Sequence, residues 1–425
     1  MVILLLAILF VLLALSVPIA VALGLATSII ILIDGRTPMN LLPQITFNSI
    51  NSFPLMAIPF FVMAGTIMEF GGISKRIIRV ANLLVGNVAG GLGIVAVVAS
   101  MLFASISGSG IATTAALGSI LIPSMIKKGY DRGFAGALQA VSGELGAIIP
   151  PSISMIVYGV AGGVSIGSMF IAGFLPGFLI GISLIIGVYI IAKIRGYQGE
   201  TEKLTFREKV RVVLDAVPAL FMAVIILGGI YGGIFTPTEA SAIATAYALI
   251  IAFFVYKEMG LKDLLPAFAQ SMITSSIVLF IVMNAGFFSH YLAHENVPRI
   301  VTGFFVDKFD SSFMFLLVIN IVLLITGMFL DGVTAMILLA PILVPVAVSL
   351  GIDPVHFGIV MVVNLAIGMC TPPVGVNLFV ASDIAKVSLE YISRKLLPLL
   401  IILIADLMLI SYLPDISLFL VRLLQ

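Results

Sequence analysis

Long apolar runs recur along this chain of 425 residues, and they constrain its fold more than any other feature. The hydrocarbon core of a bilayer is about 30 Å thick, which a helix of about 20 apolar residues crosses. Because lipid offers the backbone no hydrogen-bond partners, such runs must form helices or a closed β-barrel. The alternating ten-residue strands that build a membrane barrel do not occur in the sequence. The pattern therefore predicts an all-α, polytopic membrane protein.

Composition supports a membrane protein and excludes other classes. Hydrophobic residues make up 61% of the chain and charged residues only 10%, where a soluble domain carries about 25% charged residues. The net charge of +1 argues against a nucleic-acid partner, and a single cysteine, Cys370, excludes an internal disulfide. The first ten residues have neither a basic start nor a clear cleavage site, so we expect a retained first helix rather than a signal peptide.

Two apolar segments, 91–125 and 312–348, are too long for one crossing and too continuous to contain an aqueous loop. We expect each to be a re-entrant helical hairpin. The full set of expected membrane segments is 2–15, 17–33, 54–71, 91–125, 134–162, 169–194, 213–232, 239–256, 267–290, 312–348, 355–384 and 396–413.

The distribution of Lys and Arg agrees with the hairpins. Connections rich in these residues lie on the cytoplasmic side of a membrane. Basic clusters around Arg76 and Lys127 flank the segment 91–125, so it begins and ends in the cytoplasm. The connections around 312–348 carry only Arg299 and Lys308, so that segment begins and ends outside. This topology leaves both termini outside.

An internal repeat relates the two halves of the chain. Shifting the sequence by 222 residues lays 109–158 over 331–380 without a gap. The matches include residues that set backbone geometry, among them Pro123 with Pro345 and Gly146 with Gly368. We expect a first inverted repeat over 1–212, with its hairpin at 91–125 and a broken helix at 134–162. The second would cover 213–425, with its hairpin at 312–348 and a broken helix at 355–384. Inverted repeats with interrupted helices are typical of secondary transporters, whose sites lie at the breaks.

Each broken helix is interrupted at a double proline, within GAIIPP at 146–151 and GMCTPP at 368–373. Proline removes a backbone donor and clashes with the preceding turn, so two in succession break a helix. The freed carbonyl groups suit Na⁺, and the helix N-termini that follow suit an anionic group. The prolines could instead only kink a structural helix, but their presence in both copies favours a functional role.

The hairpin tips complete the candidate site. The first tip, SISGSG at 105–110, offers hydroxyl and carbonyl oxygens, which are ligands for hard cations. The second tip lies at 327–332 and places Asp331 where the first has Ser109. A carboxylate this deep in an apolar hairpin indicates a functional site with a cation nearby. Asp331 could also cap the second arm of its hairpin, and the two roles are compatible.

Other polar residues in apolar segments carry weaker signals. Glu144 could face the cavity or form a hydrogen bond within the bundle, and Asn364 and Asn377 could bind a ligand or cap a helix. Glu239 is typical of a carboxylate at a helix start. We expect Asp406 to form an interhelical hydrogen bond. The histidines show no metal-ligand spacing, so no transition-metal site is expected.

Several of these segments together resemble the large membrane subunit of tripartite ATP-independent periplasmic (TRAP) transporters. The resemblance runs essentially from end to end. It is carried by LLPQITFNSINSFPLMAIPFFVMAGTIMEFGGISKRI, by SISGSGIATTAALGSILIPSMIKKGYDRGFAGALQAVSGELGAIIPPSISMIVYG, by GGIYGGIFTPTEASAIATAYAL and by GIDPVHFGIVMVVNLAIGMCTPPVGVNLFVAS.

The resemblance implies an elevator-type transporter of the bacterial cytoplasmic (inner) membrane, with a moving transport domain inside a scaffold. It implies Na⁺ as the coupling ion, no other cofactor, and an organic acid as substrate: a dicarboxylate, keto acid, sugar acid or sialic acid. Its partners would be a periplasmic substrate-binding protein and a small four-helix membrane subunit, besides membrane lipid. Because no segment of the chain is left over for that subunit, we expect it to be a separate polypeptide.

The family's site residues transfer by position. The sodium-binding residues would be Ser105, Ser107, Ser109 and Gly146 in one site, and Gly327, Asp331, Gly368 and Thr371 in the other. The substrate-binding residues would be Ser109, Thr113, Thr114, Pro150, Pro151, Thr334, Pro372 and Asn377.

Three alternatives to this function require other features or other partners. A single-component Na⁺/anion symporter of related architecture would need no binding protein. An intramembrane enzyme is disfavoured, because no Ser/His or Cys/His pair has catalytic spacing. The membrane half of an ATP-driven importer has no need of inverted hairpins, and the chain has no Walker motif.

Overall fold

The computed structural model describes residues 1–35, 38, 41–199, 204–308 and 311–424, and these residues form helices and connecting turns without a β-strand. Nine of the described helices are long and apolar enough to cross a membrane. The prediction of an all-α polytopic membrane protein is therefore confirmed.

The helices follow one another with short connections. In chain order they are α1 (Val2–Ala14), α2 (Ile19–Asp34), α3 (Leu41–Ile50), a 3₁₀ turn (Phe53–Met56), α4 (Ala57–Phe70), α5 (Ile73–Val85), α6 (Gly91–Ser107), α7 (Gly110–Lys127), α8 (Arg132–Gly143), α9 (Leu145–Ile148), α10 (Ile153–Gly162), α11 (Ile166–Arg195), α12 (Phe206–Tyr231), α13 (Pro237–Ile250) with a π-helical turn (Ile251–Val255), α14 (Leu261–His294), α15 (Val297–Lys308), α16 (Ser312–Phe329), α17 (Gly332–Ser349), α18 (Pro354–Met369), α19 (Val376–Ala385), α20 (Leu389–Tyr412) and α21 (Asp415–Leu424).

Both predicted hairpins form. Helices α6 and α7 are separated only by Gly108 and Ser109, and α16 and α17 only by Leu330 and Asp331. Gly108 has a φ of 63°, a conformation that glycine adopts without strain and that lets the chain reverse. Ser109 and Asp331 then cap the second arm of each hairpin with their side chains. The side of the membrane from which each hairpin enters stays a prediction.

Both predicted breaks also form. The first divides α9 from α10 across 149–152, and the axes of the two halves differ by 44°. The second divides α18 from α19 across 370–375. Each break contains its Pro-Pro pair, in a cis peptide bond in both copies.

Helix bounds follow the sequence repeat. Helix α7 begins at Gly110 and α17 at Gly332, the same offset of 222 residues that relates the two sequences. The copies also pack crosswise, with α10 against α17 and α19 against α7. The half-helix after each break therefore supports the second hairpin arm of the other copy. The inverted orientation of the copies and their boundaries at 212 and 213 stay predictions.

The hairpins and broken helices pack with α11 and α20 into a central unit (α6–α11 and α16–α20). Helices α2, α4, α12, α13 and α14 contact one another beside it and are called the flanking helices. Helices α3 and α5 lie outside the predicted membrane segments. Helix α5 is amphipathic and buries only one apolar stripe, including Ile73 and Ile77, so a search for continuous apolar runs misses it.

Arg76 ties α5 to the flanking helices. Its guanidinium lies 2.7 Å from Glu258 Oε1, 3.4 Å from Asp215 Oδ2 and 3.7 Å from the centre of the Tyr256 ring. The Arg76 side chain is only 12% exposed, although its two acidic partners are 42% and 37% exposed. This arrangement stabilises the packing of α5 on α12 with several contacts to one cation.

We expect Arg76→Met to lower the free energy of unfolding by about 1–2 kcal/mol, below the full cost of breaking a buried ion pair because the acids are partly solvated. The measurement is thermal unfolding of the purified protein in detergent, followed by circular dichroism. Arg394→Met is the control, since Arg394 is 72% exposed and pairs with the exposed Glu390. Equal melting temperatures for the two variants would contradict the role given to Arg76.

Candidate functional site

Each hairpin tip is hydrogen-bonded to the break of its own copy. The Ile153 N–H, at the start of α10, donates to the Gly108 carbonyl over 3.1 Å. In the second copy the Gly375 N–H, just before α19, donates to the Met328 carbonyl over 3.2 Å. The tips and breaks that the sequence identified separately thus form one junction in each copy.

The first junction gathers a compact set of oxygen atoms. The Ser107 and Thr113 hydroxyls lie 2.8 Å apart, and the Thr113 hydroxyl donates to the Ser109 carbonyl over 2.8 Å. Gly146 packs closely against these oxygen atoms, because a Cβ atom there would lie 2.5 Å from Thr113 Oγ1 and 2.6 Å from the Ser109 carbonyl oxygen. Four of the predicted site residues are therefore brought together.

Other residues predicted for the first site take different places. The Ser105 hydroxyl donates to the Leu102 carbonyl one turn back, outside the cluster. The Thr114 hydroxyl faces α8 and donates to the Gln139 carbonyl over 3.5 Å. Pro150 and Pro151 are buried at the break, and the Pro151 carbonyl lies 2.8 Å from where a Cβ on Gly108 would be.

At the second junction, Asp331 caps α17. Its Oδ1 atom accepts hydrogen bonds from the Val333 and Thr334 N–H groups at 3.1 Å each, and its Oδ2 atom accepts one from the Thr334 hydroxyl. The capping role is confirmed, and Thr334 is held against the same carboxylate. Gly327 and Gly368 touch through their backbones, since a Cβ on Gly368 would lie 2.6 Å from the Gly327 Cα atom.

Three further predicted residues are described by other contacts or by their exposure. The Thr371 hydroxyl donates to the Ile367 carbonyl in its own helix over 2.7 Å. Pro372 is partly exposed. The Asn377 side-chain amide donates to the Ala140 carbonyl of the other copy over 2.9 Å, so Asn377 joins α19 to α8.

The first junction also faces the flanking helices. Ser107 and Ser109 line a cavity of about 110 Å³ together with Thr66 and Glu69 of α4 and Gln270 of α14. These flanking residues are not among those predicted from the sequence. They come from segments that no motif or spacing relates to the hairpin, so the sequence carried no signal for them.

The chemistry of the first junction fits a hard monovalent cation. Its hydroxyl and carbonyl oxygens are neutral, hard ligands of the kind that bind Na⁺. Within the described part of the chain, no group of three His, Cys, Asp or Glu residues is arranged to hold a metal ion.

Other polar residues serve packing. Asp406 accepts a hydrogen bond from the Ser183 hydroxyl over 2.8 Å, and Glu239 closes a capping box with Thr236, so both expectations are confirmed. Asn364 caps no helix, and its role in binding a ligand stays a prediction. It donates to the Asn320 side chain over 2.8 Å and so ties α18 to α16.

Comparison with known proteins assigns the chain. The model of the tripartite ATP-independent periplasmic transporter family, DctM component, matches residues 6–416. The chain belongs to this family. The permease is therefore a transport protein and not an enzyme, and the family resemblance seen in the sequence is confirmed.

Curated relatives carry related names. The C4-dicarboxylate TRAP transporter large permease protein DctM of Pseudomonas aeruginosa is 43% identical, over 93% of either chain. The isethionate TRAP transporter permease protein DctMQ of Oleidesulfovibrio alaskensis is also 43% identical, over 96% of the permease but only 64% of that longer relative. The sialic acid TRAP transporter large permease protein SiaM of Vibrio cholerae is 38% identical, over 95% of either chain.

A solved structure shares the fold. The permease resembles the YdaH transporter of Alcanivorax borkumensis with a TM-score of 0.63 at 13% identity, over 88% of the permease and 86% of that chain. At this identity the likeness concerns the fold alone.

Proposed function

We propose that the permease couples the inward movement of Na⁺ to the uptake of an organic acid. The observation that carries the proposal is the oxygen cluster of Ser107, Ser109 and Thr113 held against Gly146 at the first junction. The Asp331 carboxylate at the second junction supplies a second cation position. Carboxylates are expensive in apolar segments and are kept where a cation or helix N-terminus compensates them.

The names of the relatives and the helix N-termini that follow the breaks support the proposed substrate class. The three relatives are named for isethionate, C4-dicarboxylates and sialic acid, all of them acids. In the permease, α10 and α19 begin directly after the breaks, and a helix N-terminus favours an anionic group. We infer an organic anion bound beside the junctions, with Thr113, Thr334 and Asn377 as polar contacts.

We further propose an elevator mechanism in the bacterial inner membrane, in which the central unit moves against the flanking helices. Gly65 of α4 supports a sliding contact, since a Cβ there would lie 3.4 Å from the Ser107 Cα atom at the first tip. Small residues let helix backbones approach closely in membranes. A small membrane subunit and a periplasmic binding protein complete the proposed transporter.

The test is uptake into proteoliposomes that contain the permease and its small subunit. Organic acids are offered with and without the cognate binding protein, under an imposed Na⁺ gradient. We expect uptake to require both the gradient and the binding protein. Uptake without a Na⁺ gradient would contradict the coupling, and uptake without the binding protein would make the permease a single-component symporter.

A further inference from the structure

Glu144 is a buried carboxylate that lies against the first hairpin tip. It lies between α8 and α9 and is 3% exposed. A Cβ on Gly110 would lie 2.5 Å from its Oε2 atom and 3.1 Å from its Oε1 atom. Gly110 is the first residue of α7 and directly follows Ser109, so the carboxylate lies at the N-terminus of the helix that carries the oxygen cluster.

Apart from its position at the N-terminus of α7, this carboxylate has little compensation within the protein. Neither of its oxygens accepts a hydrogen bond of good geometry among the described residues, and the neighbouring Asn377 side chain gives it only weak support. The polar side chain beside it is Asn377, whose amide already donates to the Ala140 carbonyl. No described Lys, Arg or His supplies an opposite charge to it. An unpaired buried carboxylate is strongly disfavoured unless a cation is bound nearby.

The two copies carry a carboxylate at different positions of the junction. Asp331 lies on the tip of the second copy, where the first has the neutral Ser109. Glu144 lies on the broken helix of the first copy, and the same offset of 222 residues places Ala366 in the second. Each junction therefore has a carboxylate at the N-terminus of its second hairpin arm, contributed by the tip in one copy and by the broken helix in the other.

We propose that Glu144 supplies the negative charge of the first cation site, as Asp331 does for the second. This inference rests on the proposed Na⁺ coupling and assigns the charge that balances one of the ions. The neutral oxygens of Ser107, Ser109 and Thr113 contact the ion, and Glu144 acts on it through its charge. The cation offsets the cost of burying this carboxylate, and the ion in turn holds the tip against the break.

The test is binding of radiolabelled Na⁺ to the purified permease in detergent. Glu144→Gln keeps the size of the side chain and removes its charge, and we expect the Na⁺ concentration for half-maximal binding to rise at least about tenfold, the effect of losing one modest charge interaction. Asp406→Asn is the matched control, because Asp406 is also a buried carboxylate, 4% exposed, but bonds to Ser183 in α11. We expect this control to bind Na⁺ as the wild type does.

A compensating variant separates charge from packing. Glu144→Ala combined with Ser109→Asp reproduces in the first copy the arrangement of Asp331 and Ala366 in the second. We expect it to recover Na⁺ binding that Glu144→Ala alone loses. Unchanged binding in Glu144→Gln, or loss without recovery in the double variant, would overturn the inference while leaving Na⁺ coupling in place. A wild-type permease that binds no Na⁺ would instead overturn the proposed function itself.

Discussion

Asp331→Ala is expected to abolish Na⁺-driven uptake while the permease stays folded and inserted. The carboxylate caps α17, and under the proposed Na⁺ coupling it is also the charge of the second cation site. Loss of the cap alone costs about 1 kcal/mol of stability. Loss of the charge beside a partly buried cation costs about 3 kcal/mol, so apparent Na⁺ affinity should fall by about two orders of magnitude. Uptake into proteoliposomes over a range of Na⁺ concentrations measures this.

Asp353→Ala is the matched control for the cap. Asp353 begins α18 and accepts hydrogen bonds from the Val355 N–H at 2.8 Å and the His356 N–H at 3.1 Å, the same pattern that Asp331 shows in α17. It lies outside both junctions. We expect Asp353→Ala to lower the melting temperature by a similar amount and to keep its Na⁺ dependence. Normal Na⁺ dependence in Asp331→Ala would show that the second ion position is wrong.

Gly146→Ala is expected to have the next largest effect. The added methyl group would meet the Ser109 carbonyl oxygen at 2.6 Å and Thr113 Oγ1 at 2.5 Å, closer than real Cβ contacts. The tip must then move away from the break, which costs about 1–3 kcal/mol in a packed interior. Because the displaced atoms are the proposed ion ligands, we expect Na⁺ binding and uptake to fall below detection, with only a modest loss of thermal stability.

Gly228→Ala provides the control for this substitution. Gly228 lies in α12, and no atom of the described chain falls within 4 Å of the position that its Cβ would take. Alanine favours a helix by about 1 kcal/mol over glycine, so this variant should be as stable as the wild type or more so. Retained Na⁺ binding in Gly146→Ala would mean that the cluster at the first tip is a packing feature and not an ion site.

The features that the sequence predicted are those fixed by local chemistry. Continuous apolar segments too long for one crossing defined the hairpins, and glycine at position 108 and the double prolines at 150 and 372 defined where the chain turns or breaks. The residues at the tips follow from the same local chemistry. The sequence therefore predicts the positions of Ser109 and Asp331 without knowledge of their capping hydrogen bonds.

The features that the sequence did not predict depend on contacts between distant segments. Glu69 and Gln270 reach the first tip only because α4 and α14 pack beside it. The sequence does not decide between two roles for Glu144, because the position of its carboxylate against the hairpin tip depends on the close approach of Gly110. Ser105 and Thr371 match the family's site residues by position. Their hydroxyl groups, however, donate hydrogen bonds within their own helices. Side-chain rotamers determine this outcome, and a sequence motif does not specify them.

The crosswise packing of α10 on α17 and of α19 on α7 has a consequence for how tightly transport is controlled. Each junction is built on a half-helix that also supports the hairpin arm of the other copy. A displacement of one junction is therefore transmitted to the other through this packing. Under the proposed Na⁺ coupling, we expect both ion positions to be filled before the central unit moves, which would prevent one ion from crossing alone and dissipating the gradient.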